Sequence, residues 1–535
     1  MSKNYLLQKD GSFIIKDYNR TYPFSNFLPG IAGIWGIPLW VFYTNRGQGV
    51  ASFGIGNKDH SIAEFFPANK AYSLTSSLGF RTFLKKDSQK FYEPFSNLNS
   101  ASCQEMLIES DSFQVREVNK TLGLSFKAAY FTLPNMPVGS LVRVLTLKNI
   151  SSRSAALEVI DGLPRIIPFG SVNSLLKDMS RTLEGWMHSK VENNLASFRL
   201  IVDPRDVSHT RYIEGANFSY SFYEDRGKKV FPYFIIDPTV LFGSGNSCRT
   251  PLKFLEKKFR VPVKQIYCGR TPCAFSHFKW KLAPGEEKRF YSLFGAYFKE
   301  DALAPLFAGM NSEFILKKKA ENKKLIESIK NNAFCVSSSK EFNNYLGCTY
   351  LDNVLRGGYP YSVAEDHSSS ASKNHTNSKG RRNSHTYYIF SRKHGDLERD
   401  YNYFQLLPSY FSEGEANNRD INQNRRMDLF FNPAIKQDNI IYFFNLIKID
   451  GYNPLTVKGE KIYFNRLRAV NLLKDFRIQN PRLVNLMVKG FYMGEFFRLM
   501  EEEGLECKRR DELAEILISQ GNREARASHG DGYWI

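Results

Sequence analysis

The sequence predicts a multidomain chain that is β-rich first and α-helical afterwards, with a helical linker between. Three observations carry this. Up to about residue 300 the apolar segments are short, rich in Val, Ile, Phe, Tyr and Thr, and punctuated by Gly, Pro, Asn and Asp. From residue 301 the apolar period lengthens to that of a helix. Between Ser391 and Pro433, polar side chains crowd against aromatics as in few other parts of the chain.

Residues 1–300 read as a large antiparallel β-sandwich, because many short strands with few helical windows must bury sheet against sheet. Thr21–His60 is dense in turn glycines. Within it, Phe27–Tyr43 is uncharged, but it is short for a bilayer span and interrupted by Pro29, Pro38 and three glycines. Buried strands and turns are expected there. Leu141–Asn149 alternates, Ile150–Ser154 turns, and Ala156–Asp161 returns, which predicts a hairpin. Further strands are expected over 198–202, 212–223, 230–236, 259–266 and 289–298.

Residues 301–337 form the predicted helical linker, with Leu303, Leu306, Phe307, Met310, Phe314, Leu325, Ile326 and Ile329 as its apolar stripe. The lysine run from 317 to 324 shares its expected helix with Glu313, Glu321 and Glu327 and reads as a solvated helix face.

From 338 onward helices are expected. Ser338 or Ser339 caps one that passes Phe342 and Leu355 and stops at Gly357-Gly358. Residues 364–384 are low in complexity and predict a mobile surface loop rather than a metal site at His367 and His375. A short helix fits 440–449. Asn480-Pro481 opens another, carrying Leu483, Leu486, Met487, Gly490, Phe497 and Met500 as far as Gly504. Gly490 and Gly494 would admit a neighbouring helix. Asp511 caps Leu513–Ser519, closed by Gly521.

Composition narrows the class. The 535 residues are 42% hydrophobic, enough for substantial cores. The formal charge is +19, but Lys and Arg are spread among acids and no nucleic-acid module is present, so no nucleic-acid partner is expected. Seven scattered cysteines suggest reduced thiols. The opening MSKNYLLQKDGSF is not a secretory signal. A cytoplasmic protein without a membrane partner is the expectation.

The Ser391–Pro433 stretch carries the chemistry. Arg392, His394, Asp396, Glu398, Arg399 and Asp400 lead into Tyr401, Tyr403, Phe404, Tyr410 and Phe411. Glu413, Glu415, Asn417, Asn418, Arg419, Asp420 and Asn422–Arg426 follow. Carboxylates, amides and guanidiniums bracket hydroxyls, and aromatic faces stack on weakly polar rings. That mixture suits a sugar.

The glycine-rich FLPGIAGIWGIPLWVFYTNRGQGVASFG, the SRKHGDLERDYNYFQLLPSYFSEGEANNRDINQNRR block and the closing GDGYWI together resemble inverting glycoside phosphorylases such as cellobiose phosphorylase, most of all the β-1,3-glucan phosphorylase branch. In that family an aromatic, then Gly-rich loop ends in Arg-Asp followed by Ser-Asn-Gln; here Arg419-Asp420-Ile421-Asn422-Gln423 stands in its place. The resemblance implies a β-sandwich, linker helices and the first part of a six-fold α/α barrel. It implies that Arg419 and Asp420 grip the glucosyl unit beside the scissile bond. Where the family has a small-residue loop, this chain has Glu415-Ala-Asn-Asn418, so Glu415 and Asn417 are candidates on chemistry rather than on the motif. His394, Asp396 and Arg399 are further candidate sugar contacts. Asp531 and Trp534 resemble a substrate-lining carboxylate and a helix-start aromatic.

The implied reaction is hexosyl transfer from a β-glucoside to inorganic phosphate, giving α-glucose 1-phosphate. It uses phosphate as co-substrate and neither cofactor nor metal. An inverting phosphorylase needs one proton donor and a positioned anionic nucleophile. The family's donor is an aspartate in a Trp-Asn-Asp motif. No such motif occurs in this sequence. The general acid is therefore expected beyond Ile535, and no residue here is assigned as catalytic. Two readings stay open: the N-terminal portion of a phosphorylase acting on β-glucan oligosaccharides, and a non-catalytic carbohydrate-binding remnant. Uncovered apolar helix faces lead to an expectation of self-association or of association with a further C-terminal part.

Overall fold

A computed structural model describes residues 4–88, 90–99, 101–205, 208–245, 247–299, 303–364, 384–393 and 404–529. The described residues form two compact units. One takes residues 4–32 and 37–327; the other takes 33–36, 328–393 and 404–529.

The first unit is the β-sandwich. Its larger sheet has eleven strands among the described residues. Leu124–Thr132, Gly139–Asn149, Glu287–Tyr297 and Ala216–Asp225 lie side by side at its centre, all antiparallel. The facing sheet runs in the order Tyr233–Ile235, Ala274–Leu282, Ala155–Leu163, Arg81–Lys86, Lys90–Tyr92. A four-stranded sheet contains Ser25–Phe27 and Trp40–Thr44, which take in the two ends of the 27–43 segment expected to be buried strand and turn, together with Val50–Gly54 and Ser61–Ala63. Among the described residues no helix is long and apolar enough to cross a membrane.

Alternation places the core. Leu141, Leu145 and Leu147 face Leu157, Val159, Phe278 and Trp280 of the other sheet. Their neighbours Val142 and Val144 point the opposite way and are covered by Phe307, Met310 and Ile315 of the linker helices. The segment expected as a linker contains two helices, Leu303–Ala308 and Ser312–Lys330, and as far as Glu327 it belongs to the first unit. The second helix begins where Glu224 accepts hydrogen bonds from the Ser312 amide (2.8 Å) and hydroxyl (2.6 Å).

Two strand-level expectations are corrected. Leu141–Asn149 and Ala156–Asp161 are strands, but they do not pair as a hairpin. The first lies between Leu124–Thr132 and Glu287–Tyr297; the second lies in the facing sheet beside Ala274–Leu282 and Arg81–Lys86. The turn is an arch between layers, because both strands are apolar on the faces that meet. Residues 259–266 form no strand. Pro262 removes a ladder donor there. The Gln265 side chain takes the strand's place, accepting from the Ile236 amide (2.9 Å) and donating to the Phe234 carbonyl (2.8 Å).

The second unit is helical with strands interleaved. Its first helix, Lys340–Gly357, starts at Ser339, whose hydroxyl accepts from the Phe342 amide at 3.2 Å, and ends at Gly358 with φ +94°. An antiparallel hairpin, Tyr359–Ala364 with Ser384–Ile389, follows. Ala416–Asn417, Thr456–Tyr463 and Asn522–Ser528 form a three-stranded sheet. The expectation of helix alone missed these strands. In Thr456–Tyr463 only Val457 and Ile462 are buried, and a register shift between Lys458 and Lys461 breaks the alternation that sequence reading relies on.

The helix expected from Pro481 to Gly504 is two helices, Pro481–Lys489 and Met493–Glu502. Asn480 caps the first, its Oδ1 accepting from the amides of Arg482 (2.8 Å) and Leu483 (3.0 Å). Gly490 ends it with φ +87°, and a Cβ there would lie 2.2 Å from the Tyr463 ring. Gly494 is approached not by a helix but by Ser409 and the Tyr410 carbonyl. The last helix runs Arg510–Gln520, with Asp511 inside its first turn rather than at its cap. Asp511 accepts instead from the Trp35 indole nitrogen. Trp35 stands edge-on to Phe497 (4.7 Å) and Phe411 (5.2 Å), under the Arg510 guanidinium at 4.2 Å. Residues 33–36 thus supply the aromatic centre of a unit whose other residues begin at 328.

Candidate functional site

Four of the nine residues singled out from sequence share one short segment. Ala416–Asn417 is an edge strand, and the helix Asn418–Arg425 starts directly after it. Glu415 precedes the strand, exposed, with an oxygen 3.8 Å from Lys458 Nζ on the paired strand. Asn417 occupies the cap position; its Nδ2 donates to Asp420 Oδ2 at 3.3 Å instead of its oxygen capping the helix. Arg419 Nε lies 3.5 Å from Asp420 Oδ1, and the Arg419 side chain is 87% exposed. The segment presents carboxylates, an amide and a guanidinium to solvent within about one helical turn. Asp420 in the first turn is also favoured by the helix dipole. His394, Asp396, Arg399, Asp531 and Trp534 lie outside the described residues.

Immediately before this wall the backbone folds inward. Phe411 and Ser412 both adopt left-handed conformations, φ +62° and +41°, uncommon for residues with a Cβ. The Phe411 amide donates to the Ile34 carbonyl (2.9 Å), and the Gly414 amide to Ser391 Oγ (3.1 Å). The kink drives Glu413 into the unit, where it is 4% exposed. A Cβ on Gly459 would lie 2.9 Å from Glu413 Oε2, so glycine makes the room the carboxyl occupies.

The Glu413 carboxyl and the Tyr387 hydroxyl are buried together and interact with each other. Burial pushes the Glu413 carboxyl up to about 8, and nearby Glu460 acts in the same direction. The side chain is therefore mostly protonated at neutral pH. It borders a cavity of about 20 Å³, lined also by Tyr387, Ser391, Arg425, Tyr442 and Glu460. That volume suits one water and is far too small for a sugar ring.

Arg425 also lines the cavity. Its guanidinium lies over the Tyr388 ring at 3.6 Å, and its Nε donates to the Gly357 carbonyl at 2.6 Å. Tyr388 donates to Asp428 Oδ2 (2.9 Å) and accepts from Asn439 Nδ2 (2.8 Å). Burial raises Asp428 to about 6, against the opposing pull of Tyr388 and Arg425. Glu460 sits 3.4 Å from Arg523.

Sequence reasoning passed over Glu413 and Arg425 as members of a polar run. A signal was present. Ile421 and Arg425 are four apart, so they share the helix face that buries Ile421, and both are buried. The arrangement thus has two parts: an exposed polar wall, and a buried carboxyl that precedes it in sequence. Among the described residues no group of His, Cys, Asp and Glu gathers as a metal site.

No protein-family model matches the chain, and no curated protein matches it. Solved structures give distant likenesses. A bacterial glucoamylase complexed with acarbose aligns over 88% of this chain and 57% of its own length, with 10% identity and a TM-score of 0.38. A human-microbiome protein assigned as a kojibiose phosphorylase aligns over 66% of this chain and 33% of its own length, with 8% identity and a TM-score of 0.24. A GH92 α-mannosidase from Bacteroides thetaiotaomicron aligns over 62% and 39%, with 9% identity and a TM-score of 0.22. This chain spans little more than half of the first and about a third of the second. Likenesses at these identities and TM-scores assign neither a family nor an activity.

Proposed function

We propose that this is a carbohydrate-active protein, corresponding to the N-terminal portion of a phosphorylase that cleaves β-glucosides, with β-1,3-gluco-oligosaccharides as the substrate class. In this reading the second unit is the opening part of an α/α barrel. The observation that carries it is the open wall of Glu415, Asn417, Arg419 and Asp420, with the Arg419 guanidinium in solvent beside a carboxylate. A guanidinium and a carboxylate side by side offer donors and acceptors to adjacent sugar hydroxyls. The sequence resemblance at Arg419-Asp420 supports the same role.

One observation favours the second reading, sugar binding without catalysis. The strongly raised carboxyl nearest the wall in sequence, Glu413, is enclosed where no glycosidic oxygen can reach it. The test separates the two. The full chain is titrated with β-1,3-gluco-oligosaccharide and, separately, incubated with oligosaccharide and inorganic phosphate. Binding that weakens at least tenfold in Arg419→Ala, without release of glucose 1-phosphate, fits a binding portion. Release of glucose 1-phosphate would place the proton donor within this chain. Oligosaccharide binding that is absent, or indifferent to Arg419→Ala, would sink the proposal.

A further inference from the structure

The sandwich unit carries a cavity of about 530 Å³, a volume ordinary for a small-molecule site. It is built by residues 164–167, by the helix Asn173–Asp178 and the helical turn Ser180–Trp186, by the helix Thr239–Phe242 with the glycines that follow it, and by residues 269–271. Hydrogen bonds from behind hold this lining in place. Asp237, 3% exposed, accepts from the Thr239 amide (3.0 Å) and hydroxyl (2.8 Å) and from the Arg270 guanidinium (3.1 Å). Glu184 Oε1 accepts from the Thr271 amide (3.1 Å) and hydroxyl (2.7 Å). Ser180 turns at φ +49°, a left-handed conformation that is uncommon for a residue with a Cβ. At Gly243, Gly245 and Gly269 a Cβ would meet nothing within 4 Å, so no neighbouring side chain crowds that part of the lining.

The charges on the lining indicate the ligand. The ionisable groups there are Arg165, Arg181, Arg270, Glu64, Glu184 and Cys248. Arg270 is balanced by the buried Asp237. Arg165 and Arg181 are exposed, and among the described residues neither has an ion-pair or hydrogen-bond partner, Glu64 and Glu184 included. Two guanidiniums without a counter-charge therefore border one cavity. The guanidinium fork matches phosphate oxygens. A phosphomonoester carries close to two negative charges at neutral pH, enough to balance both arginines, whereas one carboxylate would leave an arginine unmatched. The rest of the lining suits a polyhydroxylated body. Carboxylates and the hydroxyls of Ser180 and Ser244 bracket sugar hydroxyls, and Pro164 and Pro238 offer apolar surface to a ring face. A bare phosphate would fill only a small part of the volume.

We propose that this cavity binds a sugar phosphate, with the phosphoryl group held by Arg165 and Arg181 and the sugar hydroxyls by Glu184, Ser180 and Ser244. The proposal is independent of the carbohydrate reading of the polar wall, with which the cavity shares no residue. Isothermal titration calorimetry of the full chain with glucose 6-phosphate tests it, beside glucose, glucuronate and inorganic phosphate. The expected result is saturable binding of glucose 6-phosphate with a dissociation constant below about 1 mM, at least tenfold tighter than any of the other three. Arg165→Gln and Arg181→Gln remove exposed side chains that hold nothing in the fold, so the melting temperature of the unliganded protein stays the same. Each is expected to weaken binding at least tenfold, while Arg419→Ala leaves it unchanged. Absence of saturable binding up to about 10 mM overturns the proposal. So does binding that is indifferent to either arginine variant, or that Arg419→Ala abolishes. Glucose or glucuronate binding as tightly would overturn the phosphoryl assignment, and inorganic phosphate binding as tightly would overturn the sugar.

Discussion

Glu413 shows how one side chain reports its surroundings. Its folded pKa, about 8, lies above the ordinary glutamate value of 4.5, so between those pH values the folded state holds a proton that the unfolded chain has released. Stability from this group is therefore fully present below about pH 4.5 and is lost as pH rises to about 8, with a slope of at most about 1.4 kcal/mol per pH unit. Glu413→Gln keeps the shape and removes the titration. Urea melts across pH 5–9 should show a flatter stability profile for this variant, and higher stability than the parent above pH 8; an unchanged profile would mean the carboxyl is not buried as described. Gly459→Ala places a methyl against Glu413 Oε2 and should lower stability by about 1–3 kcal/mol in the same melts.

At the level of elements, local signals and long-range ones separate. Helix ends were legible: Ser339, Gly358 and Asn480 cap as their residue types and positions indicate. Asn480→Ala should cost about 1 kcal/mol in chemical denaturation, since two amides lose their acceptor. Gly490 was read as a site of close approach within a helix. In fact its close neighbour is the Tyr463 ring and its φ is positive, so it ends the helix; Gly490→Ala should cost several times more than Asn480→Ala. What stayed hidden was pairing. The arch at 150–154 has the same local sequence character as a hairpin, and only the apolar faces of other strands decide that its two arms belong to different sheets. The exposed polar wall was legible as a composition, because Glu415, Asn417, Arg419 and Asp420 are close in sequence. The Glu413 cavity was not, because Tyr387, Gly459 and Glu460 reach it from distant segments.

At the scale of the sandwich, a buried ion pair fixes how the layers meet. Arg143 of the larger sheet and Asp161 of the facing sheet are fully buried and 2.5 Å apart. Tyr130 contacts the Arg143 Nε at 3.1 Å, and Thr82 donates to Asp161 Oδ1 at 2.6 Å. Arg143 and Asp161 sit on the two arms of the arch, so the pair sets the register of one sheet over the other. Its net contribution to stability is small after desolvation, but breaking it is not. Arg143→Met should cost about 3–5 kcal/mol, leaving Asp161 buried and unpaired, while Arg143→Met combined with Asp161→Leu should cost less than the two single changes added together. Differential scanning calorimetry of the three variants measures the coupling.

Trp35 carries a consequence for synthesis. It leaves the ribosome 462 residues before Phe497, one of the rings that receives it. At about 5–20 residues per second, that is a delay on the order of 20–90 s during which the sandwich can fold around a segment whose destination does not yet exist. The chain must hold residues 33–36 out of its first core for that interval, and the glycines at 30, 33 and 36 bracket a piece of sequence suited to waiting. Co-translational folding of this protein is therefore a problem of keeping one early tryptophan unspent. A polypeptide begun at residue 328 would make every helix of the second unit and still lack the side chain at its aromatic centre.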